Sequence, residues 1–245
     1  MLGQLLDDVV NLIYPPRCAS CGATTERGNF CADCGGQLFM LEALSACPRC
    51  AAPLGEDSAC PYCGGTGIHP FATIAALGPF RDPLRRMIHK MKYRHGWPIA
   101  EILAHRMLHH PRTRLVLEQT DCLVAVPLHG ARQFGRGFNQ AHTIAAQLAR
   151  RCHIRMVHPL VRLKNTLSQT AVGSRRDRAD NVRHAFGLID PRRVRGQRVT
   201  LVDDVMTTAA TLKSAATALK EAEPLSINAL VLAVSDPRRR DFQSA

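Results

Sequence analysis

Short apolar runs alternate with helical patterns from residue 70 onward. Four mostly apolar runs predict buried strands, at 122–128, 157–162, 199–202 and 227–234. Helical spacing predicts two helices within 81–110, one at 139–150 and one at 208–222. Elements in this order form a mainly parallel sheet with helices on both faces, with a ligand site at the carboxyl ends of the strands. We therefore predict an α/β domain over 70–245.

The first 69 residues have a different composition. Apolar residues near the start repeat at helical spacing, interrupted by two aspartates: Leu2, Leu5, Leu6, Asp7, Asp8, Val9 and Ile13. This pattern predicts a helix before a Cys-rich segment, so we expect a smaller unit over 1–69. A secretory signal would place basic residues first, and no uncharged apolar run reaches about 18 residues. We therefore expect a cytoplasmic protein without a membrane span.

Eight of the ten cysteines form two copies of one pattern within this smaller unit. Each copy holds two Cys-x-x-Cys turns, and the ligands are Cys18, Cys21, Cys31, Cys34, Cys47, Cys50, Cys60 and Cys63. Four thiolates supply the closed tetrahedral shell of a structural zinc site. The sequence therefore predicts a double zinc ribbon with two structural zinc ions.

Other interpretations of the cysteines remain open. Four thiolates also suit an iron–sulfur cluster, and disulfides are disfavoured in a reducing cytosol. Spacing does not decide which pairs share an ion; we favour sequential over crossed pairing. Cys122 and Cys152 lie in apolar stretches, where lone cysteines are usually buried packing residues.

Charge separates the two units. The chain has a net charge of +12, of which residues 1–69 contribute −4 and the remainder +16. Clustered positive charge raises the local concentration of anions, so the larger unit fits a phosphate-rich ligand or partner. A basic face at 81–92 contains Arg85, Arg86, Lys90 and Lys92. A merely soluble basic surface explains the charge equally well.

One segment combines groups suited to a phosphorylated sugar. Residues 199–212 read as a strand, the adjacent carboxylates Asp203 and Asp204, and a Thr-rich turn that opens a helix. The carboxylates can accept hydrogen bonds from sugar hydroxyls or hold a hydrated Mg²⁺. Helix N–H groups and threonine hydroxyls can donate to a phosphate. In the alternative, the aspartates only cap the helix.

This segment resembles the type I phosphoribosyltransferase signature, and three further stretches extend the resemblance to the ComF family. Those stretches are 125–141, 162–170 and 176–186, and they accompany the paired ribbons and the Tyr14-Pro-Pro-Arg-Cys18 entry. The likeness implies a type I phosphoribosyltransferase-like fold that binds 5-phosphoribosyl 1-pyrophosphate (PRPP) with magnesium.

The resemblance also implies site residues. The phosphoribosyl group would lie on Asp203, Asp204, Thr207, Thr208, Ala209, Ala210 and Thr211. Arg132 and Arg136 would contact pyrophosphate, and Gln169 and Arg178 would belong to a mobile hood over 162–181. Where the family pattern has glycine, this sequence has Ala209, whose Cβ disfavours close approach to phosphate.

Two functions follow from the resemblance. If active, the protein would be a Mg-dependent phosphoribosyltransferase associated with natural competence and DNA uptake. In the alternative, it is a non-catalytic adaptor that binds single-stranded DNA or a nucleotide and docks a competence helicase and recombination-loading proteins through its ribbons. The aromatic content of 5% disfavours a base-stacking groove.

Overall fold

A parallel five-stranded sheet forms the centre of the fold. The computed structural model describes residues 15–25, 28–55, 60–93, 96–128, 138–163 and 185–235. Its strands are β1 (Ile74–Pro79), β2 (Cys122–Ala125), β3 (Arg155–Met156), β6 (Arg198–Met206) and β7 (Ser226–Val234), in the order β1-β7-β6-β2-β3. All four neighbouring pairs are parallel, as predicted.

Two short strands form a separate antiparallel pair. β4 (Leu160–Arg162) pairs with β5 (Phe186–Leu188), and Val161 lies opposite Gly187. The single strand predicted at 157–162 is therefore corrected. The main-sheet strand β3 ends at Met156, before the predicted run, and only residues 160–162 form a strand, β4, which lies outside the main sheet.

Six α-helices lie in the described parts of the chain. They are α1 (Ala32–Ala43), α2 (Leu84–Met91), α3 (Trp97–His109), α4 (Pro111–Glu118), α5 (Gln140–Cys152) and α6 (Ala210–Lys220). The predicted helices within 81–110, at 139–150 and at 208–222 correspond to α2, α3, α5 and α6. The sequence did not predict α1 or α4. Among the described helices, none combines the length and apolar content that crossing a bilayer requires.

Side chains alternate along the strands and give the sheet two apolar faces. In β7, Val231 faces one core and Leu230 the other. The first core contains α6 and the second cysteine quartet, and the second core contains buried residues of α1 to α5. Helices therefore cover both faces, which confirms the predicted fold class.

The two cysteine quartets lie on opposite sides of the sheet. Cys47, Cys50 and Cys60 belong to the core that contains α6. Ala19 and Phe30, beside the first quartet, pack against the core on the other face. The second quartet also contacts the sheet through a backbone hydrogen bond: the carbonyl of Arg49 accepts the N–H of Ile74 in β1 at 3.0 Å. The division at residue 69 stays a prediction.

Candidate functional site

The eight cysteines gather into the two sequential quartets. Cys18, Cys21, Cys31 and Cys34 form one group and Cys47, Cys50, Cys60 and Cys63 the other, with all sulfur atoms of a group within 4.8 Å of one another. The favoured sequential pairing is confirmed. These are the groups of three or more potential metal ligands found within the described ranges.

The sulfur geometry fits zinc. Sγ–Sγ distances are 3.7 Å for Cys21–Cys31, 3.6 Å for Cys47–Cys63 and 3.5 Å for Cys50–Cys60. A tetrahedral ion with Zn–S bonds of about 2.3 Å separates its sulfurs by about 3.8 Å. Four thiolates complete the shell, so each quartet suits a structural ion without an open position for water.

The metal-binding turns share one backbone design. The N–H four residues after the first cysteine donates to that cysteine's carbonyl at 2.9 Å, from Gly22, Gly35, Ala51 and Gly64. Gly22 and Gly64 have φ values of +83° and +59°, a region that a Cβ disfavours. Ala51 adopts φ 59° without being glycine.

The two adjacent aspartates lie inside β6. β6 continues to Met206, beyond the predicted end at Val202, and Asp203 stands opposite Val231 of β7. The ladder between β6 and β2 ends at Val202. Both carboxylates therefore lie where β6 extends past one neighbouring strand, at the carboxyl edge of the sheet.

Backbone hydrogen bonds fix the direction of both carboxylates. Asp203 Oδ1 accepts the N–H of Asp204 at 2.9 Å, and Asp204 Oδ1 accepts the N–H of Val205 at 2.7 Å. Neither bond caps α6, so the observed geometry does not support the interpretation of the aspartates as simple helix caps. The second oxygen of Asp204 instead lies 3.6 Å from the ammonium of Lys92.

The surroundings of Asp203 disfavour its negative charge. Burial, and then the charge of Asp204, raise the pKa of Asp203 to about 7, against weaker opposing effects of the Asp204 N–H, Arg162 and Lys92. A nearby cation, or hydroxyl groups that donate hydrogen bonds, would stabilise the ionised carboxylate in this environment. Groups held at such a cost occur more often at functional sites than elsewhere.

The turn between β6 and α6 has an unusual backbone. Ala209 precedes the helix with φ 58° and ψ 10°, a left-handed conformation, and its methyl group is buried. Glycine adopts this conformation without steric cost. Ala209 therefore holds this conformation at a steric cost that glycine would not have.

Hydroxyl and amide groups surround Ala209. Thr208 Oγ1 accepts the N–H of Ala210 at 3.4 Å, and the Ala209 carbonyl accepts the N–H of Lys213 at 2.8 Å. The first turn of α6, which includes Thr211, leaves N–H groups without partners inside the helix. The predicted residues 203, 204 and 207–211 thus form one continuous strand–turn–helix unit.

Several predicted contacts lie outside the described residues. Arg132 and Arg136 fall within 129–137, and Gln169 and Arg178 fall within 164–184. Arg162 is described: its guanidinium lies 5.3 Å from the ring centroid of Phe186.

The predicted basic face at 81–92 is largely paired with acids. Arg85 and Arg86 both bind Asp82, at 3.0 Å and 2.9 Å. Lys92 reaches Asp204, and Lys90 is exposed. This face therefore offers less free charge than the sequence predicted, and Lys92 becomes a residue of the candidate site.

Comparisons with known proteins identify the family. Models of the double zinc ribbon domain and the phosphoribosyl transferase domain match residues 9–64 and 136–245. Competence protein F of Haemophilus influenzae is 29% identical, with 78% of this chain and 90% of the relative covered. DNA utilization protein YhgH of Escherichia coli O6:H1 is 30% identical, with 69% and 79% covered. The chain belongs to the ComF family.

A solved structure is also similar to this ComF-family chain. It is described as the allosteric regulatory enzyme of purine biosynthesis, is 16% identical, covers 59% of this chain and 30% of its own, and has a TM-score of 0.40. That score is too low to support an argument about the site. The phosphoribosyl transferase match, by contrast, includes the whole β6–α6 segment of the ComF-family chain.

Proposed function

We propose that the protein binds PRPP, or another phosphoribosyl ligand, at residues 203–211 and acts in the handling of DNA during natural competence. The observation that carries the first part is the strained β6–α6 turn beside two adjacent, partly buried carboxylates. The names of the relatives, competence protein F and DNA utilization protein, support the second part.

Each part of the ligand has a matching group in this proposal. Asp203 and Asp204 accept hydrogen bonds from the two adjacent ribose hydroxyls. The N-terminal turn of α6 and the threonine hydroxyls donate to the 5′-phosphate. Lys92 holds Asp204 in place and adds positive charge near the anionic ligand.

Magnesium belongs to the same proposal. Oxygen ligands from one or two carboxylates plus substrate phosphates are the usual protein environment of Mg²⁺. Asp203 and Asp204 provide such carboxylates, and the ion would neutralise charge between them and the pyrophosphate of PRPP. If the protein is active, we propose that it is a Mg-dependent phosphoribosyltransferase.

The test compares binding in matched variants. Asp203→Asn with Asp204→Asn should abolish binding of PRPP and of ribose 5-phosphate, measured by equilibrium dialysis, while circular dichroism shows a retained fold. Asn is nearly isosteric but lacks the charge that makes these hydrogen bonds roughly twice as strong. Asp190→Asn is the control, because that carboxylate pairs with Arg193 at an exposed position. Equal affinity in the double variant and the wild type would place the ligand elsewhere.

A second candidate function is that of a DNA-binding adaptor that docks helicase and recombination-loading partners through the ribbons. The net charge of +16 after residue 69 favours it. Electrostatic binding of single-stranded DNA should weaken steeply with salt and should not need Asp203 or Asp204. DNA titrations of the double Asn variant therefore separate the two functions.

A further inference from the structure

We infer that Tyr62 makes the second cysteine quartet a support for the 207–211 turn, so that metal in this quartet, and not in the first, controls the order of the turn and its affinity for ligand. The affinity part rests on the proposed function, whereas the effect on the order of the turn does not. Tyr62 is thus proposed as a positioning residue.

The supporting contact joins distant parts of the chain. Tyr62 lies between two ligands, in Cys60-Pro61-Tyr62-Cys63, and its phenolic O–H donates to the Thr207 carbonyl at 3.0 Å. This carbonyl stands two residues before Ala209. The Tyr62 ring packs, partly buried, against the core that contains Met206, Ala209 and Leu212.

The left-handed turn needs such support. An alanine in this region is disfavoured, so the conformation persists only where its surroundings hold it. The Tyr62 hydrogen bond fixes the carbonyl at the start of the turn, and the shared core fixes the buried methyl group of Ala209.

Metal ligation fixes the position of Tyr62. A bound ion holds Cys60 and Cys63 about 3.8 Å apart at sulfur, and the residues between them follow. The free energy of metal binding stabilises the folded form of the ribbon, and this contribution is lost when the ion is absent. Loss of the ion should therefore loosen Tyr62 and then the turn.

The first quartet has different neighbours. The Ser20 hydroxyl donates to the Pro83 carbonyl at 3.3 Å, and the adjacent Ala19 packs against the core that contains α1 to α5. These contacts lie on the sheet face opposite α6. Metal loss there should leave the 207–211 turn unchanged.

The first experiment uses Tyr62→Phe, which removes one hydroxyl and keeps the ring. Hydrogen exchange of the amides at 207–211 is measured in ligand-free protein, together with zinc content and the affinity for ribose 5-phosphate. We expect two zinc ions per chain, exchange about 3- to 10-fold faster in the turn, and affinity about 3- to 10-fold weaker, as expected for one lost hydrogen bond.

Thr66→Val is the matched control in the same ribbon. Its hydroxyl donates to the Cys63 carbonyl at 2.8 Å and stays within the ribbon, so its loss should leave exchange in the turn unchanged. Unchanged exchange at 207–211 in Tyr62→Phe, with zinc retained, would overturn the inference. So would equal acceleration in both variants.

A second experiment removes one ligand from each quartet. Cys63→Ser should lower zinc content and accelerate exchange in the turn, whereas Cys21→Ser should lower zinc content alone. Equal effects of the two variants on the turn would overturn the inference. If Cys63→Ser does not fold, the exchange measured in Tyr62→Phe decides the question by itself. If exchange responds as expected but the wild type binds no phosphoribosyl ligand, the support contact stands and the proposed function fails.

Discussion

Ala209→Gly tests whether the turn between β6 and α6 stores strain. The substitution relieves a left-handed φ of 58°, which costs an alanine about 1–2 kcal/mol. It also adds chain entropy to the unfolded state, worth about 0.5–1 kcal/mol, and removes a buried methyl worth about 0.8 kcal/mol. These contributions oppose each other, so we expect the free energy of unfolding to change by less than about 1 kcal/mol.

Ala210→Gly is the matched control one residue later. Ala210 begins α6 with helical geometry, so glycine there costs about 1 kcal/mol without relief of strain. We therefore expect Ala209→Gly to be more stable than Ala210→Gly by about 1 kcal/mol.

Guanidinium unfolding monitored by circular dichroism measures this difference, provided that the m-values agree. Ala209→Gly should also tighten the binding of ribose 5-phosphate, because glycine adopts the left-handed backbone of the turn without steric cost. If both glycine variants lose the same stability, the turn is not strained and the account of Ala209 is wrong.

Three further predictions concern metal, pH and DNA. Metal analysis of the purified protein should find two zinc ions per chain, and one ion, none or visible absorption from iron would contradict this. The pKa of Asp203 is raised to about 7 in the folded state, so the folded protein favours the protonated carboxyl group. The free energy of unfolding should therefore fall as the pH rises from about 4 to about 7. Asp203→Asn should therefore raise the free energy of unfolding at pH 8 by about 2 kcal/mol, a figure reduced because water reaches the site. Urea titrations in which the variant gains no more stability over the wild type at pH 8 than at pH 5 would refute this prediction. Single-stranded DNA should bind with a logarithmic salt slope of about −0.7 per phosphate contact, and salt-insensitive binding would exclude the electrostatic account.

The local parts of the site could be predicted from the sequence. Asp203, Asp204 and the following threonines are neighbours in the chain, so a strand and a helix on either side suffice to bring them together. The cysteine turns are equally local. Which pairs share an ion depends on how the ribbons fold, and the observed quartets decided it.

Long-range contacts could not be predicted. Tyr62 meets Thr207 across 145 residues, and Lys92, the residue after α2, meets Asp204 of β6 from a distant part of the chain. No periodicity or motif indicates either pair. α1 carries two glycines in its sequence, and α4 begins at Pro111 directly after α3, so their local patterns did not predict separate helices.

Calorimetric titration of the wild-type protein with PRPP, with and without Mg²⁺, tests the central claim most directly. The account predicts one PRPP site per chain, with an affinity for PRPP that depends on Mg²⁺. Binding of single-stranded DNA should not need this site. The Asp203→Asn, Asp204→Asn protein, shown to be folded, should give no binding heat. Absence of PRPP binding in the wild type at millimolar ligand, or binding that survives in the double variant, would contradict the assignment of residues 203–211 as a phosphoribosyl site.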